Sequence, residues 1–458
     1  MQKIYLLATI SFLFVSITSN GQVGIGTPTP NASAMLHVNT ASTGKGLLVT
    51  GIYDPASTVA DLGASSRLIF YPGKAAFRAG YVEGIQWDNI NVGLSSVALG
   101  HNTIANGSYT TALGSGTQSF GSYSIAMGSQ TLAGGMYSTS MGSQTYAGAN
   151  YSTAMGNQTK AFGTNSTATG NLTQANGFSS IAMGNGTIAS GSSSTAMGNG
   201  TIASGFSSTA MGVSTNAIGD FSTAIGNTTN ASGRISLATG NETIASGDNS
   251  TAMGIKVNTN FKGGAFIIGD SDPNREGETR SGITDQLVAR FWNGYYFLTS
   301  GDANRFGVQI GHHGNFWTAI CDKNRKENFE TLDGEDVLQK ISKMNFTSWN
   351  YKKQDPKAHR HYGIMAQDFH NAFGHDKYGS IGNDSTVNPI DMIGIDMAAI
   401  QALEKRTTDL KNENESLKES LTQLQLQFKE QQKVIAQSVD QLKALAKKQS
   451  AMENIAVK

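Results

Sequence analysis

Cysteine is almost missing from this chain: Cys321 is the only one in 458 residues. One thiol excludes an intramolecular disulfide framework and any cysteine cluster for a metal. Charge is equally sparse. Only 14% of residues are charged, and the 33 basic and 33 acidic residues cancel. That balance gives no electrostatic reason to expect nucleic acid or an anionic membrane as partner. Long apolar runs are missing beyond the first twenty or so residues. No later segment approaches the roughly 18 apolar residues a spanning helix needs, so the mature chain is expected to have no membrane-spanning segment. No phosphate loop, paired-carboxylate constellation or Ser-His-Asp motif stands out, and no cofactor is expected. Six of the eight histidines fall at His312, His313, His359, His361, His370 and His375. Their spacing matches no tight ligand motif, so no metal site is expected.

What is present begins with an export signal. Lys3 supplies a positive start, Ile4 to Ile17 an apolar core, and Ser19-Asn20-Gly21 the small residues a signal peptidase reads. Residues 1–21 are expected to be a signal peptide, which places the mature chain outside the cell or on its surface. Residues 22–92 follow as a small β-rich region with runs such as Gly46-Leu47-Leu48-Val49-Thr50.

Glycine is abundant, with 54 copies, and it is periodic. From Gly93 to Asn260 a fourteen-residue unit recurs twelve times without a gap. Position 8 is Gly in every unit, from Gly100 to Gly254. Position 1 is Gly except at Ala149, position 4 is Ser except at Thr110, and position 6 is Ala except at Ser140. Position 11 is Thr until Val257. So short a unit buries nothing alone, and its coils must stack to satisfy their backbone. Two short strands and two tight turns fit fourteen residues, with glycine where the backbone needs positive φ or close approach. At about 4.8 Å per coil, twelve coils make a rod section of roughly 55–60 Å.

Strand parity assigns the faces. Positions 4, 6 and 8 suit a very narrow interior, and position 7 points outward. Position 7 reads Leu99, Leu113, Met127, Met141, Met155 and on to Met253, an apolar stripe whose size marks a self-association surface. A calcium-binding roll is excluded because the units hold Asp only at Asp220 and Asp248. The threonine column at position 11 reads as sheet stabilisation rather than a flat ice-binding lattice.

The Ser-x-Ala-x-Gly columns at this period resemble the head repeats of trimeric autotransporter adhesins. The resemblance covers residues 93–260. It implies a left-handed parallel β-roll with three chains side by side.

Residues 261–314 turn to aromatic, strand-like runs such as Asp285-QLVARFWNGYYFLTS and read as a β neck. Beyond them come Cys321-Asp322, Lys326, Asn328, Trp349, Tyr351, and Gly363 with Ala366-Gln367. This order resembles the C-terminal intramolecular chaperone domain of phage tail spikes and tail fibres. The resemblance implies that residues 315–395 drive trimer assembly, and that a Ser–Lys dyad releases the module by self-cleavage. Here Cys321 stands at the serine position. A thiolate is a strong nucleophile, and Lys326 five residues on is placed to take the thiol proton. Cys321 and Lys326 are therefore the candidate catalytic pair of an autoproteolytic endopeptidase; the alternative is a silent cysteine beside a solvated basic turn.

Residues 396–448 carry heptads. Position a runs Ile400, Thr407, Asn414, Leu421, Phe428, Ile435, Leu442, and position d runs Leu403, Leu410, Leu417, Leu424, Gln431, Ser438, Leu445. The expected element is a coiled coil, with Asn414 setting register and residues 449–458 as a tail. The chain as a whole is expected to be mainly β: a solenoid, a small mixed α/β chaperone-like domain and a coiled coil. Its expected partner is itself, as a homotrimer. Its expected function is an exported adhesin-like fibre whose last module assembles it.

Overall fold

The computed structural model describes residues 22–40, 46–271, 277–300 and 306–456. The expected signal peptide lies outside the described residues. The chain divides into two compact units, the first ending at Ala319 and the second running from Ile320.

The first unit is a β-solenoid. In each repeat, positions 5–9 form one strand, and in all but the last, positions 12–13 form a shorter one, as in Thr195–Asn199 and Ile202–Ala203. Equivalent strands of successive coils pair in parallel and in register: Thr195 meets Thr209, Ala196 meets Ala210, and Met197 meets Met211. The long strands build a sheet of 16 strands and the short ones a sheet of 13. Both sheets extend past the twelve units. Strand Ala76–Val82 stacks in parallel on Val97–His101 at one end, while Phe266–Gly269 and Leu287–Arg290 continue the long sheet at the other.

Turn residues bond between coils as well. Position 3 donates its N–H to the previous coil, as Tyr137 does to the Ser122 carbonyl at 2.9 Å, and so does position 10, as Gln144 does to Ser129 at 2.8 Å. A coil thus satisfies its backbone mainly through the coils above and below it, where unpaired groups would be costly. Positions 3 and 10 both adopt positive φ, 50–60° at most non-glycine residues, including Tyr109, Tyr123, Ser193 and Gln158.

The interior is very narrow. Positions 4, 6, 11 and 13 fill it with Ser, Ala, Thr and Ala side chains that are fully buried in most coils. Position 8 is not among them, against the parity argument. Its glycine sits at φ +123 in Gly184, which breaks the pleat and turns the residue out of the interior. A Cβ on Gly184 would lie 2.0 Å from the carbonyl oxygen of Gly198 in the next coil. Glycine at position 1 answers a similar contact: on Gly191 a Cβ would meet the Gly205 carbonyl oxygen at 2.0 Å. The position 11 threonines, expected to stabilise the sheet, lie inside, most of them with the hydroxyl unpaired.

At its N-terminal end the solenoid is stoppered. Strand Ser65–Tyr71 pairs antiparallel with Ala76–Val82. Arg78 takes the interior place in register with Ala98. Its guanidinium donates to the Ser96 carbonyl at 2.9 Å, the Ser96 hydroxyl at 2.8 Å and the Ala105 carbonyl at 3.1 Å. Burial pulls its pKa down to about 10. Trp87, also buried, donates Nε1–H to the Thr103 carbonyl at 2.9 Å.

In the second unit, helix α1 (Gly334–Ser342) begins at Asp333, whose carboxylate accepts the Glu335 N–H at 2.9 Å. Helix α2 (Ala366–Phe373) and helix α3 (Pro389–Ala456) complete it. Val337, Phe369, Phe373 and Ala399 form a shared core. Gly334 lets α1 approach α3, since a Cβ there would stand 2.7 Å from that of Ala402. Arg406 of α3 bonds both carboxylate oxygens of Glu335, which raises the arginine's pKa, first through the hydrogen bond and then through the charge. Among the described residues, no helix is long and apolar enough to cross a membrane.

Candidate functional site

The candidate pair lies at the start of the second unit. Asp322 caps a single 3-10 turn, Lys323–Arg325, by accepting the Asn324 N–H at 2.9 Å. The turn reverses the chain and brings Lys326 back toward Cys321. Lys326 Nζ lies 2.9 Å from Cys321 Sγ, within hydrogen-bonding reach for sulfur. Both side chains are exposed. Asn328 follows at φ +58, where a small polar side chain is better tolerated than a bulky one. Phe329 packs under the Lys323 ammonium at 5.9 Å, and Glu330 pairs with Lys377 at 3.1 Å. The second of these contacts links the segment to the loop that follows α2.

The remaining residues singled out in the sequence gather elsewhere in the module. Strands Thr347–Trp349 and His361–Gly363 pair antiparallel, which sets Trp349 opposite His361. Their rings stack at 4.7 Å, and Tyr351 meets both edgewise at 5.0 and 5.7 Å. Ala366 and Gln367 open α2. The module thus holds a thiol–amine pair and a separate aromatic cluster. His361, weighed in the sequence only as a metal ligand, stands in register across from Trp349. No group of three His, Cys, Asp or Glu side chains converges on a common point among the described residues.

The other functional surfaces are repetitive. On the long sheet, the position 7 stripe is partly exposed, with Met183 at 38% and Met253 at 38%. Position 9 carries an amide ladder in which Asn157 donates to Asn171, Asn171 to Asn185 and Asn185 to Asn199, at 2.7, 2.7 and 3.1 Å. At the corner formed by position 3, Tyr109, Tyr123, Tyr137 and Tyr151 stack face to face at 4.8–5.2 Å. Sequence reading missed this ladder, although the four tyrosines share one column of the repeat.

Two family models match the chain. Residues 92–117, 121–145, 147–173, 175–201, 203–229 and 231–255 match the YadA head domain repeat. Domains of that kind form homotrimers and are surface-displayed or extracellular. Residues 321–375 match the chaperone of endosialidase, a segment that opens on Cys321 and includes Lys326 and the aromatic cluster. No curated protein matches this chain. The solenoid is therefore similar to adhesin head repeats, and the module that follows is similar to an intramolecular chaperone.

Proposed function

We propose that the protein is a surface-displayed homotrimeric fibre of the adhesin kind, assembled by its C-terminal module. The exposed seam of α3 carries this reading. Ile400, Leu403, Leu410, Leu417, Leu421, Leu424, Phe428, Ile435, Leu442 and Leu445 are all at least half exposed, along one heptad line. A lone helix with such a seam is marginal in water, and the seam needs partner helices. The position 7 stripe supports the same conclusion from the solenoid. In-register parallel stacking is slow and prone to mispairing, so a module that brings three chains together at one end supplies the register. Light scattering on the mature chain tests this. A mass of three chains is expected, falling to one chain in Leu417→Asp/Leu424→Asp. A wild-type chain that is monomeric at micromolar concentration ends the proposal.

A second reading rests on the 2.9 Å contact between Lys326 and Cys321. In it, neutral Lys326 takes the thiol proton and the thiolate adds to the preceding Ile320 carbonyl through a five-membered ring. The Cys321 nitrogen leaves with that proton, giving a thioester that water hydrolyses. The products are a chain ending at Ile320 and one beginning at Cys321. Intact mass beside Cys321→Ala and Lys326→Ala decides: fragments in the wild type alone support self-cleavage, while full-length chain in all three removes it.

A further inference from the structure

An acyl group carried on Cys321 would have an acceptor nearer than water. Three cations follow the thiol through the 3-10 turn, and they point to different places. Lys323 lies over the Phe329 ring at 5.9 Å, and Arg325 Nε lies 3.8 Å from the Asp322 carboxylate. The amine that meets the sulfur is that of Lys326, with Nζ 2.9 Å from Sγ. Backbone bonds hold it there. The Arg325 N–H donates to the Asp322 carbonyl and the Lys326 N–H to the Lys323 carbonyl, each at 3.1 Å. Both side chains are exposed, so no burial separates amine from thiol.

In the self-cleavage reading, Lys326 takes the thiol proton, and the departing Cys321 nitrogen carries that proton away. Lys326 is then neutral again, and the Ile320 acyl group sits on the sulfur that Nζ contacts. Contact of this kind, when well aligned, amounts to an effective amine concentration on the order of 10⁵ M. An amine is also a stronger nucleophile than water. We infer that Lys326, not water, captures the thioester, so that the Ile320–Cys321 peptide bond is exchanged for an isopeptide bond from Ile320 to Lys326 Nζ. The Nζ–carbonyl bond forms as the carbonyl–sulfur bond breaks, and the thiolate takes the surplus amine proton. No atom is gained or lost. The products are a thiol, a free α-amine on Cys321 and an amide on Lys326 Nζ. Residues 321–325 become a short branch, while the chain up to Ile320 stays covalently joined to α3. A fibre that undergoes this step keeps its assembly helix although its backbone is cut.

This step rests on the self-cleavage reading as far as the thioester and replaces only the final hydrolysis. Rearrangement leaves the mass unchanged, so a second readout is needed. Cys321 is the only cysteine, and once its amine is free it is an N-terminal cysteine, which 2-cyanobenzothiazole labels selectively. The full mature chain is treated with that reagent, weighed intact and then digested with trypsin. The expected result is full-length mass carrying close to one label per chain. The digest should contain a branched peptide that joins residues 306–320 to Lys326, and Cys321→Ala should take no label. Two fragments, the second of them labelled, overturn the isopeptide step and keep self-cleavage by water. Full-length chain without label overturns both.

Discussion

Ala182 and Leu424 use apolar side chains in opposite ways. Ala182 is fully buried inside its own coil, whereas Leu424 is 65% exposed on α3. The solenoid hides small groups within one chain, and each alanine methyl contributes no more than about 1 kcal/mol. Its strength therefore comes from backbone ladders that run in register from coil to coil. Helix α3 satisfies its own backbone locally and leaves its large side chains outside. One region is built around close contact with itself, and the other leaves an apolar seam exposed. The helix with the exposed seam directly follows the segment similar to a chaperone.

The comparison breaks first at the glycines. Gly184→Ala places a Cβ 2.0 Å from the next coil's carbonyl at φ +123. Loss of more than about 3 kcal/mol is expected, because backbone on both sides resists movement. Two residues on, Gly186 has φ +62 and open space around it. Gly186→Ala should cost only about 1 kcal/mol, from conformation alone. Urea unfolding of the pair decides; equal losses would falsify the view that coil spacing, rather than φ, selects position 8. On the helix, Leu417→Asp/Leu424→Asp should lower the assembled mass while the β signal in circular dichroism persists. Parallel loss of the β signal would mean that the solenoid, too, depends on its neighbours.

Much of this architecture is legible in the repeat, and the exceptions have physical causes. Alternation placed Ser and Ala of positions 4 and 6 inside and the methionines of position 7 outside, because a regular strand alternates strictly. Position 8 escaped that rule, since its glycine leaves the pleat at φ near +120. Position 13 went unread because its strand has two residues, too few to show a pattern. In the C-terminal module, Cys321 and Lys326 came from motif order alone. The turn that joins them depends on the Asp322 cap, a local bond that spacing does not reveal. The tyrosine ladder was visible as a column, but its stacking follows only once coil spacing and register are known.

The stopper at the N-terminal end gives a smaller, pH-dependent test. Burial holds Arg78 at about 10, below its usual value, so unfolding there takes up a proton above that pH. The stability withheld by the buried charge is missing below about pH 10 and returns as pH rises through it. Relative to Arg78→Met, the wild type should gain a little under about 1 kcal/mol between pH 8 and 10.5 in urea midpoints. A flat difference would mean the guanidinium reaches water.

The smallest effect belongs to the amide ladder. Asn185 donates to Asn199 and accepts from Asn171, so Asn185→Ala removes two side-chain bonds at once. Both lie on the exposed face, where water replaces each partner. The expected cost is therefore about 0.5–1 kcal/mol rather than the several expected at Gly184, one residue away. Adjacent residues would then differ severalfold in effect because one bears on backbone spacing and the other only decorates it. A loss at Asn185 as large as that at Gly184→Ala would show that side-chain ladders, not backbone stacking, hold the coils together.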